Sequence, residues 1–278
     1  MYLRTNGVFA IERFVSSEKR RQNLKWLAFT FPITTSCATI AIWVPRSIAL
    51  VDVALTLYFS RVLFTFVNLV RDLHGGREAM SVRLEGTELR MASSPCCCCC
   101  VCLPALEPAA KNLKLVEWFV IQVSFVRPLL IFLQGVQIAN LDYSTNNFST
   151  FISVLNTCST LLSIYGSTIL INVSKEPLVL YKISFMFGIL RLVMLFFNIQ
   201  APIFNILAST DVIQCNALLP ASVRAKVWNY LLLILEVLML SVITTFVLNP
   251  KKCALFDIHP LQLESRGIYE RERYNLLI

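Results

Sequence analysis

Six of the chain's ten cysteines fall within seven consecutive positions, Cys96, Cys97, Cys98, Cys99, Cys100 and Cys102, in the stretch SPCCCCCVCLP. Metal ligation, disulfide bonding and thioester acylation are the chemistries open to so dense a thiol block. Cys96 with Cys99, or Cys97 with Cys100, has the Cys-x-x-Cys spacing of a zinc half-site, but a tetrahedral centre needs a second ligand pair at a distance and the histidines are only His74 and His259. No metal and no other cofactor is expected. Adjacent cysteines cannot bridge one another without strain. The second chemical set is three arginines, Arg61, Arg127 and Arg191, each near the middle of a long apolar run. A charged side chain at the centre of a membrane helix costs at least about 2.5–3.5 kcal/mol unless paired or hydrated. If the three face one interior they form a positive cavity that can hold a carboxylate or sulphate bidentately. Otherwise they pair with acids on neighbouring helices or snorkel to an interface. The acids within apolar runs are Asp52 and Glu236, with Glu117 near one end of another run. Asp52 and Arg61 are nine residues apart, which at about 100° per residue puts them on opposite faces of one helix.

The elements that must position these residues are membrane helices. With 278 residues, 56% hydrophobic content, a mean hydropathy of +0.65 and only 15% charged residues, the chain is too apolar for a soluble domain. Its net charge of +8 is spread between apolar stretches rather than gathered into a basic block, which argues against nucleic acid as a partner. The expected fold class is an all-α polytopic membrane protein forming a single transmembrane domain over residues 1–278.

Crossing a hydrocarbon core of about 30 Å takes about 20 apolar residues. Six segments meet that requirement: 24–44, 48–70, 113–139, 148–171, 180–199 and 230–248. The first two are separated only by Pro45, Arg46 and Ser47, so they must form an antiparallel hairpin. With both termini in the cytoplasm, eighteen Lys and Arg residues lie on the inner side and only Arg46, Arg224 and Lys226 on the outer, as the positive-inside rule favours. The first 23 residues carry no short apolar run of the secretory type, so the first span is expected to direct insertion.

That orientation places the cysteines in a cytoplasmic loop spanning 71–112, where thiols are kept reduced. Reversible S-palmitoylation then suits the block, about a dozen residues before the third span and bracketed by Pro95 and Pro104. Cys253, just past the last span, is a weaker acylation candidate.

The order of short motifs resembles the organic solute transporter alpha family and its wider seven-helix relatives. It runs from Ser16-Ser17-Glu18-Lys19-Arg20 and Phe31-Pro32 to Gly75-Gly76-Arg77-Glu78-Ala79 and the polycysteine run. Val126-Arg127-Pro128, Ser174-Lys175-Glu176, Leu178 and Tyr181-Lys182 complete it, so the resemblance covers roughly residues 15–250. It implies a multi-pass plasma-membrane transporter of organic anions such as bile acids and sulphated steroids, working by gradient-driven facilitated transport with a small single-span beta-type subunit. It also implies seven spans, the first of which would precede Met1.

No Ser/His/Asp set, Gly-rich phosphate loop or histidine cluster is present, so enzymatic activity is not expected. His74 and His259 are expected to be solvated. Polar residues concentrated in Asn156–Thr160 and Tyr165–Thr168 suit either helix packing or a solute path. The alternative function is a non-transporting membrane scaffold or trafficking factor anchored by the acylated loop.

Overall fold

A computed structural model describes residues 2–87, 89, 107, 109–139, 146–210, 212–213, 220–248 and 253–258. The fold is all-helical, as expected. Helix α1 (Tyr2–Phe14) leads through a three-residue joint to α2 (Glu18–Ala28), where the Ser17 hydroxyl accepts from the Arg20 N–H and caps the new helix. Helix α3 (Thr30–Trp43) continues from α2 with only Phe29 between them. A single 3-10 turn at Pro45–Ser47 reverses the chain into α4 (Ile48–His74), the hairpin predicted from the short Pro-Arg-Ser connection. Short α5 (Arg77–Arg83) follows; then come α6 (Ala110–Ile121), α7 (Val123–Ala139), α8 (Asn146–Ser174), α9 (Ile183–Ser209) and α10 (Ala221–Val247).

Among the described residues, five helical stretches are long and apolar enough to cross a membrane: Glu18–Trp43, Pro45–His74, Ala110–Leu133, Val154–Ser174 and Val223–Val247. The sixth expected span, 180–199, coincides with α9, whose described apolar stretch Ile183–Asn198 is shorter than the other five. Its expected start is displaced because Val179–Tyr181 forms a 3-10 turn and Lys182 takes a left-handed φ of 51° before α9 begins.

Helix α4 is the centre of the bundle. Leu55, Phe59, Val62, Leu63, Phe66, Leu69 and Val70 along it are buried, a stripe at helical spacing that neighbouring helices cover. Phe59 meets Phe197 edge-on at 5.3 Å between ring centres, and Phe66 stacks on Phe187 at 5.5 Å, fixing α9 against α4. Helix α10 packs against both α3 and α9, and α8 lies along α6. The α6–α8 approach is close because position 166 has no side chain. A Cβ there would come within 2.8 Å of the Phe119 Cβ and 3.0 Å of the Val116 carbonyl oxygen.

Helix α4 ends in a Schellman turn. Gly75, at φ 87°, donates to the Asp72 carbonyl at 3.1 Å and Gly76 to the Arg71 carbonyl at 3.0 Å, satisfying two of the helix's last carbonyls. This turn redirects the chain into α5.

Residues 253–258 are fastened to the joint between α1 and α2. The Ile258 N–H donates to the Phe14 carbonyl at 3.1 Å, and the Asp257 carboxylate accepts from the Ser16 N–H at 3.0 Å, from the Ser16 hydroxyl and from Arg20 at 3.3 Å. Within the same segment Ala254 donates to the Leu180 carbonyl at 3.1 Å. Cys253 is fully buried there, its thiol 3.6 Å from the Tyr181 carbonyl, so the accessibility expected of an acylation site is absent. Burial pushes its thiol pKa up from the ordinary value, outweighing the nearby Leu255 N–H and Lys182 charge.

His74 also departs from expectation. It is buried rather than solvated, because the last turn of α4 packs against the end of α8, and its Nε2 lies 3.1 Å from the Ser174 hydroxyl. His259 and the block Cys96–Cys100 with Cys102 lie outside the described residues.

Candidate functional site

The three arginines have different surroundings. Arg127, on α7, is 1% exposed at the junction of α4, α7 and α8. Its guanidinium donates to the Thr160 hydroxyl of α8 and, at 3.5 Å, to the Thr56 carbonyl of α4. Among the described residues no carboxylate lies within 4 Å of it, and its Nε has no hydrogen-bond partner. Among the described residues this buried cation is held by neutral oxygens. That arrangement is costly, since a buried charge is ordinarily paired.

The local sequence explains the placement. Pro128 removes the N–H that would bond one turn back, and the helix is interrupted at Gln122 between α6 and α7. The Ser124 hydroxyl in this irregular turn donates to the Ser60 carbonyl of α4 at 3.3 Å, giving α7 a second polar tie beside Arg127. Across the junction α8 presents Asn156, Ser159, Thr160, Ser163 and Ser167 at spacings of three and four, one face of a helix. Ser159, Thr160, Ser163 and Ser167 are buried. Asn156 Oδ1 and the hydroxyls of Ser159 and Ser163 have no partner among the described residues. On α8, Gly166 gives the close approach to α6, and Thr160 engages Arg127 across the helix contact.

Arg61 points the other way. It is exposed on the outer face of α4, its guanidinium 5.1 Å from the Phe64 ring centre and 5.9 Å from that of Trp26 on α2. Arg191 is half-buried on α9. Arg127 alone of the three is buried at the α4–α7–α8 junction.

The acids are engaged by other groups. Asp52 on α4 accepts from the Tyr230 hydroxyl of α10 and lies 3.9 Å from Lys226. Glu236 accepts from the Gln200 amide of α9. Glu117, buried in the second half of α6, takes Arg77 in a close ion pair and Arg71 at 3.8 Å. The hydrogen bond from Arg77 and the adjacent carboxylate raise the guanidinium's pKa above its ordinary value. This triad ties α4, α5 and α6 together, and sequence reading assigned Glu117 no such role. Its signal was present: two arginines flanking a Gly-Gly turn, and one acid near the start of the next span.

Among the described residues no group of three or more His, Cys, Asp or Glu side chains could hold a metal. No solved structure matches the chain. Its similarity to curated proteins is extensive. It is 34% identical to organic solute transporter alpha-like protein 3 of Caenorhabditis elegans, over 90% of this chain and 73% of that protein. With organic solute transporter subunit alpha of the skate Leucoraja erinaceus it shares 29% identity over 81% of this chain and 65% of the relative, and with the human subunit 26% over 81% and 68%. The chain spans 65 to 74% of the length of the curated relatives it matches. The family model described as organic solute transporter Ostalpha matches residues 3–253. On the strength of that match, which takes in every helix from α2 to α10, the chain belongs to the organic solute transporter Ostalpha family.

Proposed function

We propose that this chain is a transporter subunit for organic anions, of the bile-acid or sulphated-steroid class, in the plasma membrane. Flux is driven by the solute gradient. The single observation carrying the anion reading is Arg127, a buried guanidinium with no carboxylate among the described residues and a row of buried hydroxyls beside it. An uncompensated cation in a low-dielectric bundle is repaid when an anion reaches it, and a sulphate or carboxylate matches the guanidinium fork. Arg61, Arg191, Asp52 and Glu236 are secondary elements of the path in this reading.

A single-span beta-type subunit is the proposed partner, as the family names imply an alpha subunit. Both termini face the cytoplasm, on the charge asymmetry of the loops. Cys96–Cys100 and Cys102 are acylated there and hold the loop against the inner leaflet. Replacing all six with Ser should abolish palmitate incorporation; unchanged labelling would sink the anchor.

The test of transport is uptake of a radiolabelled sulphated steroid in cells expressing the chain alone and with a candidate beta subunit. Arg127→Gln should lower saturable uptake at least about tenfold, the loss of a charge-assisted contact, with surface expression unchanged. Equal uptake by wild type and variant would remove Arg127 from the path. Absence of uptake in both settings, with the protein at the cell surface, would favour the scaffold reading.

A further inference from the structure

A second concentration of positive charge lies where α4 ends and α6 begins. An open cavity of about 590 Å³ is bounded there by Gly75, Gly76, Arg77 and Glu78 on one side and by Lys111 and Lys114 on the other. Part of its wall is bare backbone: a Cβ at Gly76 would meet nothing within 4 Å. The three cations and single carboxylate give this lining a net charge of +2. Arg77 is engaged by Glu117, yet that acid is shared with Arg71, and the Arg77 Nε has no partner among the described residues. Lys111 and Lys114 are exposed and one turn apart on α6, and among the described residues neither has a carboxylate within 4 Å.

The level of the cavity identifies its ligand. One candidate span ends at His74 and the next begins at Ala110, so the cavity sits where hydrocarbon gives way to headgroups. With the proposed orientation it opens to the cytoplasmic leaflet. A volume of about 590 Å³ accepts a group much larger than one phosphate. Phosphatidylserine would bring an ammonium group toward three cations, whereas a phosphorylated inositol ring brings only anionic oxygens.

We infer that this cavity binds the headgroup of a phosphoinositide, its phosphate monoesters lying between Arg77 and the Lys111–Lys114 pair. Free phosphate could use the same donors. The position at the end of two spans selects a ligand whose acyl chains lie in the adjoining bilayer.

The experiment is native mass spectrometry of the purified full chain released from phosphatidylcholine nanodiscs doped with phosphatidylinositol 4,5-bisphosphate. The wild-type chain should retain the lipid, and the double variant Lys111→Gln, Lys114→Gln should bind it roughly tenfold or more weakly, each basic residue near an anionic surface contributing appreciably. Lys226→Gln, which removes a cation beside Asp52 on α4 and outside the cavity lining, should leave retention unchanged. Equal retention by the double variant overturns the assignment, as does phosphatidylserine held equally well. Soluble inositol trisphosphate binding as tightly as the lipid also overturns it, by moving the site from membrane to solution chemistry.

Discussion

The guanidinium of Arg127 on α7 donates to the hydroxyl of Thr160 on α8, 33 residues further along the chain. Thr160 in turn donates to the Asn156 carbonyl at 2.8 Å, so the hydroxyl is saturated on both sides. Replacing Thr160 with Val keeps the shape and removes the acceptor. Interhelical hydrogen bonds in membranes are worth about 0.6 kcal/mol on average and up to about 1.7. Thr160→Val should therefore lower the unfolding temperature in detergent by a few degrees while Thr160→Ser stays near wild type. If Val and Ser behave alike, the hydroxyl does not hold Arg127.

Gly166 offers a sharper contrast. Alanine there would press on the Phe119 Cβ at 2.8 Å and on a backbone oxygen of α6, which cannot rotate away. Overpacking of this kind costs about 1–3 kcal/mol. Gly188 on α9 has nothing within 4 Å of an added Cβ. Thermal unfolding of Gly166→Ala should fall well below that of Gly188→Ala, and matching values would deny the close α6–α8 contact.

Glu117 is the shared anion of Arg71 and Arg77. Its side chain is 2% exposed, against 29% and 33% for its partners, so water screens the arginines but not the acid. Glu117→Gln should cost about 2 kcal/mol, below the value for a fully buried pair. Because the pair raises the Arg77 pKa above its ordinary value, the stability from that shift is complete below that ordinary value and lost only as pH climbs through the still higher folded one. Its contribution should be flat between about pH 6 and 9. A change in the difference between wild type and Arg77→Gln across that window would contradict it.

Cys253 reports on the terminal clasp. Its thiol is raised above the ordinary 9.0 by burial, so the neutral form is favoured in the folded chain. The associated stability is present below pH 9.0 and declines as pH rises through the folded value. In a variant with the other cysteines replaced, Cys253 should react slowly with maleimide at neutral pH. Asp257→Asn, which weakens the ties to Ser16 and Arg20, should speed the reaction several-fold, as expected when a local opening becomes easier. Rapid labelling of the unmodified clasp would contradict its burial.

Periodicity and length made the bundle legible. Apolar runs of spanning length recovered the α3–α4 hairpin and the course of α4, α6–α7, α8 and α10, because a membrane helix must satisfy its backbone internally. The sequence offers little sign of helix α1, since Arg4, Glu12 and Arg13 break up the apolar content of residues 2–14, although Ala10 and Ile11 are buried. Mid-span position singled out Arg127 and Arg61 alike and could not tell the buried one from the exposed one. That distinction depends on rotation about the helix axis: Ser60 is buried and Arg61, one residue on, faces outward. The resemblance was carried by short motifs whose physical roles became visible only in three dimensions. Gly75-Gly76 is a helix terminator, and Ser16, Ser17, Lys19 and Arg20 are respectively a clasp donor, a cap and two ion-pair partners.

The union of Ser16 with Asp257 spans 241 positions of sequence. During synthesis the joint between α1 and α2 is made first and its carboxylate partner arrives only after α10 has been completed. The start of α2 must therefore wait for its Asp257 partner until residues 253–258 have followed α10 out of the ribosome. Assembly of this bundle is thus completed late: residues 253–258 lock a joint made before any of the later helices, and removing them would keep the five candidate spans of the described residues and leave that joint unfastened.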